Sequence, residues 1–195
     1  MTQSNAQATD LRSTQHLMVD AFRKYAVTEG DFTLKSGRKS KWYCVGRNLT
    51  FRGDCIELVG HAIVDALKAK DEKLLDFDAV GGIVVGAIPV AMAVAQVTGK
   101  NAFAVRKEAK DHGDSSSLIA GPLEAGQKVL IVEDTVTTGG SLMESVKAVQ
   151  DMGCEIVAVA ALLDRGGEIT AKLKEMGITF VTSLGAPDLG FEFGS

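Results

Sequence analysis

Between residues 80 and 183 the chain alternates two kinds of apolar pattern. Short, continuous, β-branched runs at about 80–88, 101–106, 128–133, 155–163 and 178–183 read as buried strands. Between them the apolar positions recur every three to four residues, as at Leu142, Val146 and Val149, which is the period of a helix packed on one face. The clearest helix lies within 51–70, with Ile56, Val59, Ile63, Ala66 and Leu67 on one side. Another is expected over 90–97, opened by Pro89 where proline is tolerated, and a short one over 168–176. Strand-helix alternation of this kind predicts an α/β domain with a mostly parallel, doubly wound sheet and ligand loops at the carboxyl ends of its strands.

The first fifty residues break the rhythm. Residues 1–9 are polar and expected to fray. Residues 10–26 suggest an amphipathic helix with Leu17, Ala21, Phe22 and Tyr25 on one face and His16 beside it, ended by Gly30. A strand-like 32–34, a Lys-Ser-Gly turn and a returning strand over 40–45 make a basic hairpin that carries Trp42 and Tyr43. The expected organisation is one domain over 1–195: a core of about 50–183, and a small N-terminal hood, mainly 10–45, joined by part of the tail.

Composition narrows the class without choosing a chemistry. In 195 residues, 46% hydrophobic with a net charge of −4, there is material for one sizeable core and little to attract nucleic acid in general. The apolar runs are shorter than a membrane span, and the first residues show no basic start followed by an apolar segment. Cys44, Cys55 and Cys154 are scattered, forming neither a disulfide framework nor a C-x-x-C pair, which fits a reducing cytoplasm.

The chemistry concentrates in KVLIVEDTVTTGGS, residues 128–141. A strand, a Thr/Gly turn and a helix in that order converge backbone N–H groups and a helix N-terminus on one point, an anion cradle. Gly139 and Gly140 permit close approach of a phosphate, and Thr137, Thr138 and Ser141 add hydroxyl donors. A nucleoside triphosphate loop would carry a lysine, and none is present here. Glu133 and Asp134, just before the turn, suit the vicinal hydroxyls of a 5′-phosphorylated ribose. The plainer alternative is a βα loop whose acids cap a helix.

This stretch resembles the phosphoribosyl-pyrophosphate (PRPP) signature of the type I phosphoribosyltransferases. The resemblance implies that fold, a ribose held by Glu133 and Asp134, and a 5′-phosphate held by Thr135, Val136, Thr137, Thr138, Gly139, Gly140 and Ser141. Three further stretches resemble the orotate phosphoribosyltransferases in particular. In FTLKSGRKS, residues 32–40, the lysine implied to reach orotate is Lys35, with Tyr43 as a ring neighbour. In RKEAKDHG, residues 106–113, the charge-rich run resembles the family's catalytic loop, which places Arg106, Lys107, Lys110 and His112 on PRPP. Lys110 and His112 are the implied catalytic groups, stabilising pyrophosphate as it leaves. At the end of the fourth strand Arg165 matches the family's orotate arginine, and Thr137 its other orotate contact.

Mg²⁺ held mainly through PRPP and water, with no metal ligand set of the protein's own, is implied as the cofactor. PRPP and orotate are implied as substrates, orotidine 5′-monophosphate and pyrophosphate as products of this step in UMP biosynthesis, and a homodimer with shared sites as the assembly. Nucleic acid and membrane are not expected partners. Residues 80–88 depart from the family where some orotate enzymes place a lysine near Val85 and Gly86. A phosphoribosyltransferase for another base and a PRPP-binding regulator remain the alternatives. Lys35 and Arg165 speak for an acidic base.

Overall fold

The computed structural model describes residues 13–33, 39–108 and 118–194. Its centre is a six-stranded sheet of β3 (Ala79–Ile83), β4 (Asn101–Val105), β5 (Ile119–Ala120), β6 (Lys128–Val136), β7 (Glu155–Asp164) and β8 (Phe180–Gly185) in the order β5-β4-β3-β6-β7-β8. Only the short edge strand β5 runs antiparallel to its neighbour.

Alternation along the central strands decides what covers each face. Leu130 and Val132 of β6, with Ala158, Ala160 and Leu162 of β7, point to a core shared with α1 (Thr14–Tyr25), α3 (Ile56–Lys70) and α4 (Ala87–Thr98). Val129 and Ile131, with Val159 and Ala161, point to a second core under α5 (Gly140–Asp151) and α6 (Ile169–Glu175). Buried on both faces, these strands need no polar side, which is why they read as unbroken apolar runs. The sheet is thus parallel and doubly wound, as the alternation predicts.

The strand order reverses direction between β3 and β6, whose connections leave toward opposite edges. In open α/β sheets that is where the two loops diverge and leave a crevice. The site described below lies there.

Several boundaries differ from the sequence reading. The first helix ends at Tyr25, and Gly30 lies inside β1 (Val27–Thr33), where the register with β2 (Lys39–Cys44) slips between Glu29 and Phe32. Met18, Ala21 and Phe22 form the buried face of α1, while Leu17 stays exposed. A four-residue helix α2 (Arg47–Thr50) precedes α3. β3 stops at Ile83, because its pairing with β4 ends at Ile83 and Val105, and α4 begins at Ala87. β6 extends through Val136, because β7 continues to pair with it as far as Val136 and Asp164. The final strand sits two residues later than its β-branched run suggests.

After β8 a 3₁₀ turn (Ala186–Leu189) leads the chain back across the hairpin. There Phe191 stacks on Trp42 with ring centroids 4.4 Å apart and planes 3° from parallel.

Helix packing under the first core is tight at Gly60. A Cβ there would lie 2.5 Å from the Ala93 carbonyl oxygen and 3.0 Å from Val97 Cγ1. Gly60→Ala should therefore push α3 from α4 and cost about 1–3 kcal/mol. A lower denaturation midpoint with native helix content is the expected result in chemical unfolding followed by circular dichroism.

Candidate active site

Glu133 and Asp134 stand in the last part of β6, not in the loop beyond it. Both are buried, at 7% and 8% exposure. Their local hydrogen bonds are short-range: the Asp134 N–H donates to Glu133 Oε1 at 3.2 Å, and the Thr135 N–H donates to Asp134 Oδ1 at 2.7 Å. Two glycines press on the pair from either side. A Cβ at Gly46 would meet Asp134 Oδ2 at 2.7 Å, and one at Gly86 would lie 3.0 Å from Asp134 Oδ1 and 3.2 Å from Glu133 Oε1.

Burial dominates the electrostatics. Loss of water and the neighbouring Asp134 charge push the Glu133 carboxyl up to about 8, with the positive charge of Lys107 pulling the other way. Desolvation also raises Asp134, opposed by the Thr135 N–H and, more distantly, by Arg47.

These acids form the floor of a cleft of about 780 Å³. Its walls are the turn after β3 (83–86), the turn after β6 (137–139) with the start of α5, the segment 43–47, and Lys107. The peptide between Val84 and Val85 is cis. The Thr/Gly turn delivers what its sequence promised: Thr137 and Thr138 are exposed, Gly139 turns the chain at φ 76°, and α5 starts at Gly140, so its first N–H groups face the cleft.

The three glycines nearby are needed for three different reasons. Gly139 needs its left-handed backbone, and its Cβ would also strike Ile169 at 2.4 Å. A Cβ on Gly140 would meet nothing within 4 Å, leaving that space to a ligand. Gly82 serves packing rather than ligand approach, since its Cβ would lie 2.3 Å from the Val132 carbonyl oxygen.

Of the residues singled out in the sequence, Glu133, Asp134, Thr135, Val136, Thr137, Thr138, Gly139, Gly140 and Ser141 all line this one cleft, with Lys107 and Tyr43. Arg106 lies at the end of β4 and is partly buried. Its Nη1 has no hydrogen-bond partner among the described residues. Arg165 lies directly after β7, with its N–H donating to the Val136 carbonyl at 2.8 Å. Its side chain is buried and lies across the Trp42 ring, 4.0 Å from the centroid, instead of forming the cleft wall. Lys35, Lys110 and His112 lie outside the described residues.

Gly46 and Arg47 were not singled out. Nothing local marks them, because their place is set by the hairpin returning over β6. Cys44 also lines the cleft, its thiol pushed up to about 12 by burial and therefore held as SH.

Two outcomes test this geometry. Gly139→Ala should cost about 1–3 kcal/mol through backbone strain and the Ile169 clash. Gly140→Ala should leave the melting temperature unchanged and weaken binding of a phosphorylated ligand, as read by calorimetry. The second concerns pH. Between the ordinary glutamate value of 4.5 and about 8, folded protein holds a proton on Glu133 that the unfolded chain releases. The folded state then binds more protons, so stability falls as pH rises through that window. Unfolding free energies measured across it should decline, and Glu133→Gln should flatten the slope.

Comparison with known proteins agrees with this architecture. Residues 57–186 match the phosphoribosyl transferase domain family. The chain is 39% identical over 175 residues to orotate phosphoribosyltransferase of Corynebacterium glutamicum, covering 89% of this chain and 92% of that one. A crystal structure of Mycobacterium tuberculosis orotate phosphoribosyltransferase superposes with a TM-score of 0.79 at 37% identity, covering 92% of this chain and 100% of the other. The same enzyme in complex with PRPP gives 0.76 at 34% identity with the same coverage. An acid pair and an anion cradle at the switch point of a parallel sheet, in a chain this close to those enzymes along nearly its whole length, place it in the orotate phosphoribosyltransferase family.

Proposed function

We propose that this protein transfers the ribosyl 5-phosphate group of PRPP to N1 of orotate, releasing pyrophosphate and forming orotidine 5′-monophosphate for UMP synthesis. The observation that carries the reading is the buried Glu133–Asp134 pair at the floor of a cleft whose rim is a helix-capped Thr/Gly turn.

In this reading the N–H groups at the start of α5 and the hydroxyls of Thr137, Thr138 and Ser141 hold the 5′-phosphate. The ribose 2′- and 3′-hydroxyls donate to Glu133 and Asp134, which accept best when ionised. Desolvation makes that state costly in the free protein, and hydroxyl donors offset the cost. Thr137 stands between the phosphate turn and the base, with Lys35 and Arg165 giving positive charge to the orotate carboxylate. Arg106, Lys107, Lys110 and His112 surround the pyrophosphate.

As C1′ separates from pyrophosphate, positive character develops on the sugar and negative charge on the leaving oxygens, as sugar transfers generally require. No side-chain nucleophile is needed. Rate then comes from holding N1 in line with C1′ and from cations aimed at the departing charge. Lys110 and His112 stabilise that charge, and either can deliver a proton to it.

Among the described residues no group of three or more His, Cys, Asp or Glu side chains could hold a metal ion. Oxygen donors at the floor of the cleft do suit a hard cation carried in on the substrate. Mg²⁺ bound through PRPP oxygens and water would offset the diphosphate charge. The protein is proposed to act as a homodimer in the cytoplasm, its one domain closed over by the hairpin and the segment after β8. Among the described residues no helix is long and apolar enough to cross a membrane.

The test is orotate consumption, followed by absorbance, with PRPP and Mg²⁺. Uracil, hypoxanthine and adenine serve as comparisons. Loss of orotate that stops on chelation, with the other bases inert, is expected; turnover of another base alone would overturn the choice of substrate. Lys110→Ala should lower kcat by about a hundredfold or more while PRPP affinity changes by less than about threefold. An equal loss in both would remove the leaving-group role.

A further inference from the structure

Arg165 is buried outside the lining of the cleft, in a layer of one cationic and two aromatic groups from distant parts of the chain. The guanidinium lies 4.0 Å from the Trp42 ring centroid. Trp42 has no exposed surface, and it is stacked on Phe191 at 4.4 Å and 3°. The main chain closes the same circuit: the Gly194 N–H donates to the Arg165 carbonyl at 2.7 Å, and the Phe191 N–H donates to the Ala186 carbonyl at 3.1 Å. Gly166 admits this segment, since a Cβ there would lie 2.5 Å from Phe193 Cβ.

We infer that Phe191 is a positioning residue for base recognition, acting through Trp42 to fix the guanidinium of Arg165. This rests on the proposed role of Arg165 at the orotate carboxylate. A planar guanidinium binds a carboxylate well only when its fork is already oriented, and an aromatic face orients it without competing for its N–H donors. An indole can do this only if its own plane is fixed. β2 fixes the Trp42 backbone, where the Ser40 hydroxyl donates from Oγ to the Trp42 carbonyl at 2.6 Å. Phe191 then fixes the plane by parallel stacking. The 3₁₀ turn Ala186–Leu189 delivers Phe191, so the end of the fold bears on substrate selection without touching substrate. Phosphate and ribose groups are held by other elements, which makes the effect separable.

Phe191→Ala should raise KM for orotate by about threefold to tenfold, the worth of one aromatic stack, and leave KM for PRPP within about twofold. Phe191→Tyr should restore orotate KM. If Phe191→Ala does not fold, Phe191→Leu, which keeps the bulk, should show a smaller rise confined to orotate. Equal rises in both KM values, or an unchanged orotate KM, would overturn the inference while orotate turnover by the unaltered protein still upheld the function.

A second readout uses no substrate. Trp42 is the only tryptophan in the chain, so its emission reports the stack directly. Arg165→Met should shift that emission, and the shift should shrink in a Phe191→Leu background. A shift of equal size in both backgrounds would show that Phe191 does not govern Arg165. This decides the inference even if the unaltered protein consumes no orotate, an outcome that would by itself sink the functional reading.

Discussion

Two carboxylates taken out of water side by side are the constraint around which this molecule is built. Glu133 and Asp134 accept hydrogen bonds from residues next to them in the chain, and these do not outweigh the loss of water. Their field instead dictates what can surround them. Gly46 precedes α2 and Gly86 precedes α4, yet each lies where any Cβ would crowd a carboxylate oxygen. On the hairpin side and the β3 side backbone thus approaches the acids directly. The pair stays buried, and burial with the Asp134 charge raises Glu133 to about 8. It leaves a site whose free energy improves when hydroxyl donors or positive charge arrive, which is the condition a ribose diphosphate supplies.

The cations nearest the pair stand apart from it. Lys107 acts on Glu133 and Arg47 on Asp134 from the two walls of the cleft, both exposed, and neither ranks among the larger influences on its acid. Had either formed a direct ion pair with the floor, the acids would be neutralised before a ligand came. Separation across an open cleft leaves both charges available to a bound anion between them, and solvent screening keeps the resting cost of that arrangement small.

The sequence disclosed what local pattern controls. Strand β6, its turn and α5 are contiguous, so the change from an apolar run to Glu133–Asp134 to Thr/Gly to a helical period could be read directly. The errors lie where partners far along the chain decide. Val84 and Val85 look like strand, but β4 offers no further residue to pair with β3 beyond Val105 and the chain leaves the sheet. Asp134 to Val136 look like loop, but β7 continues beside them. Gly82 could not be explained from the sequence, because a glycine in a strand carries no mark of which backbone it must admit, and here that is the Val132 carbonyl. Gly46 and Arg47 had no signature at all.

The same distinction divides the site into two halves with different physical support. In the proposed reading the phosphate and ribose half is made by one continuous segment of β6 and α5, held in place by the two cores of the sheet. The base half would be assembled from β2, the end of β7 and the segment after β8, which meet only in the folded molecule. Motif reading could name Arg165, but not the Trp42 ring beneath it or the Phe191 ring beneath that. A change of base preference in such a fold therefore does not require a change at the cradle. If Arg165 faces the orotate carboxylate as proposed, altering how the hairpin and the segment after β8 hold that guanidinium would weaken the preference for an acidic ring, because a bidentate carboxylate contact needs the cation's fork oriented as well as present.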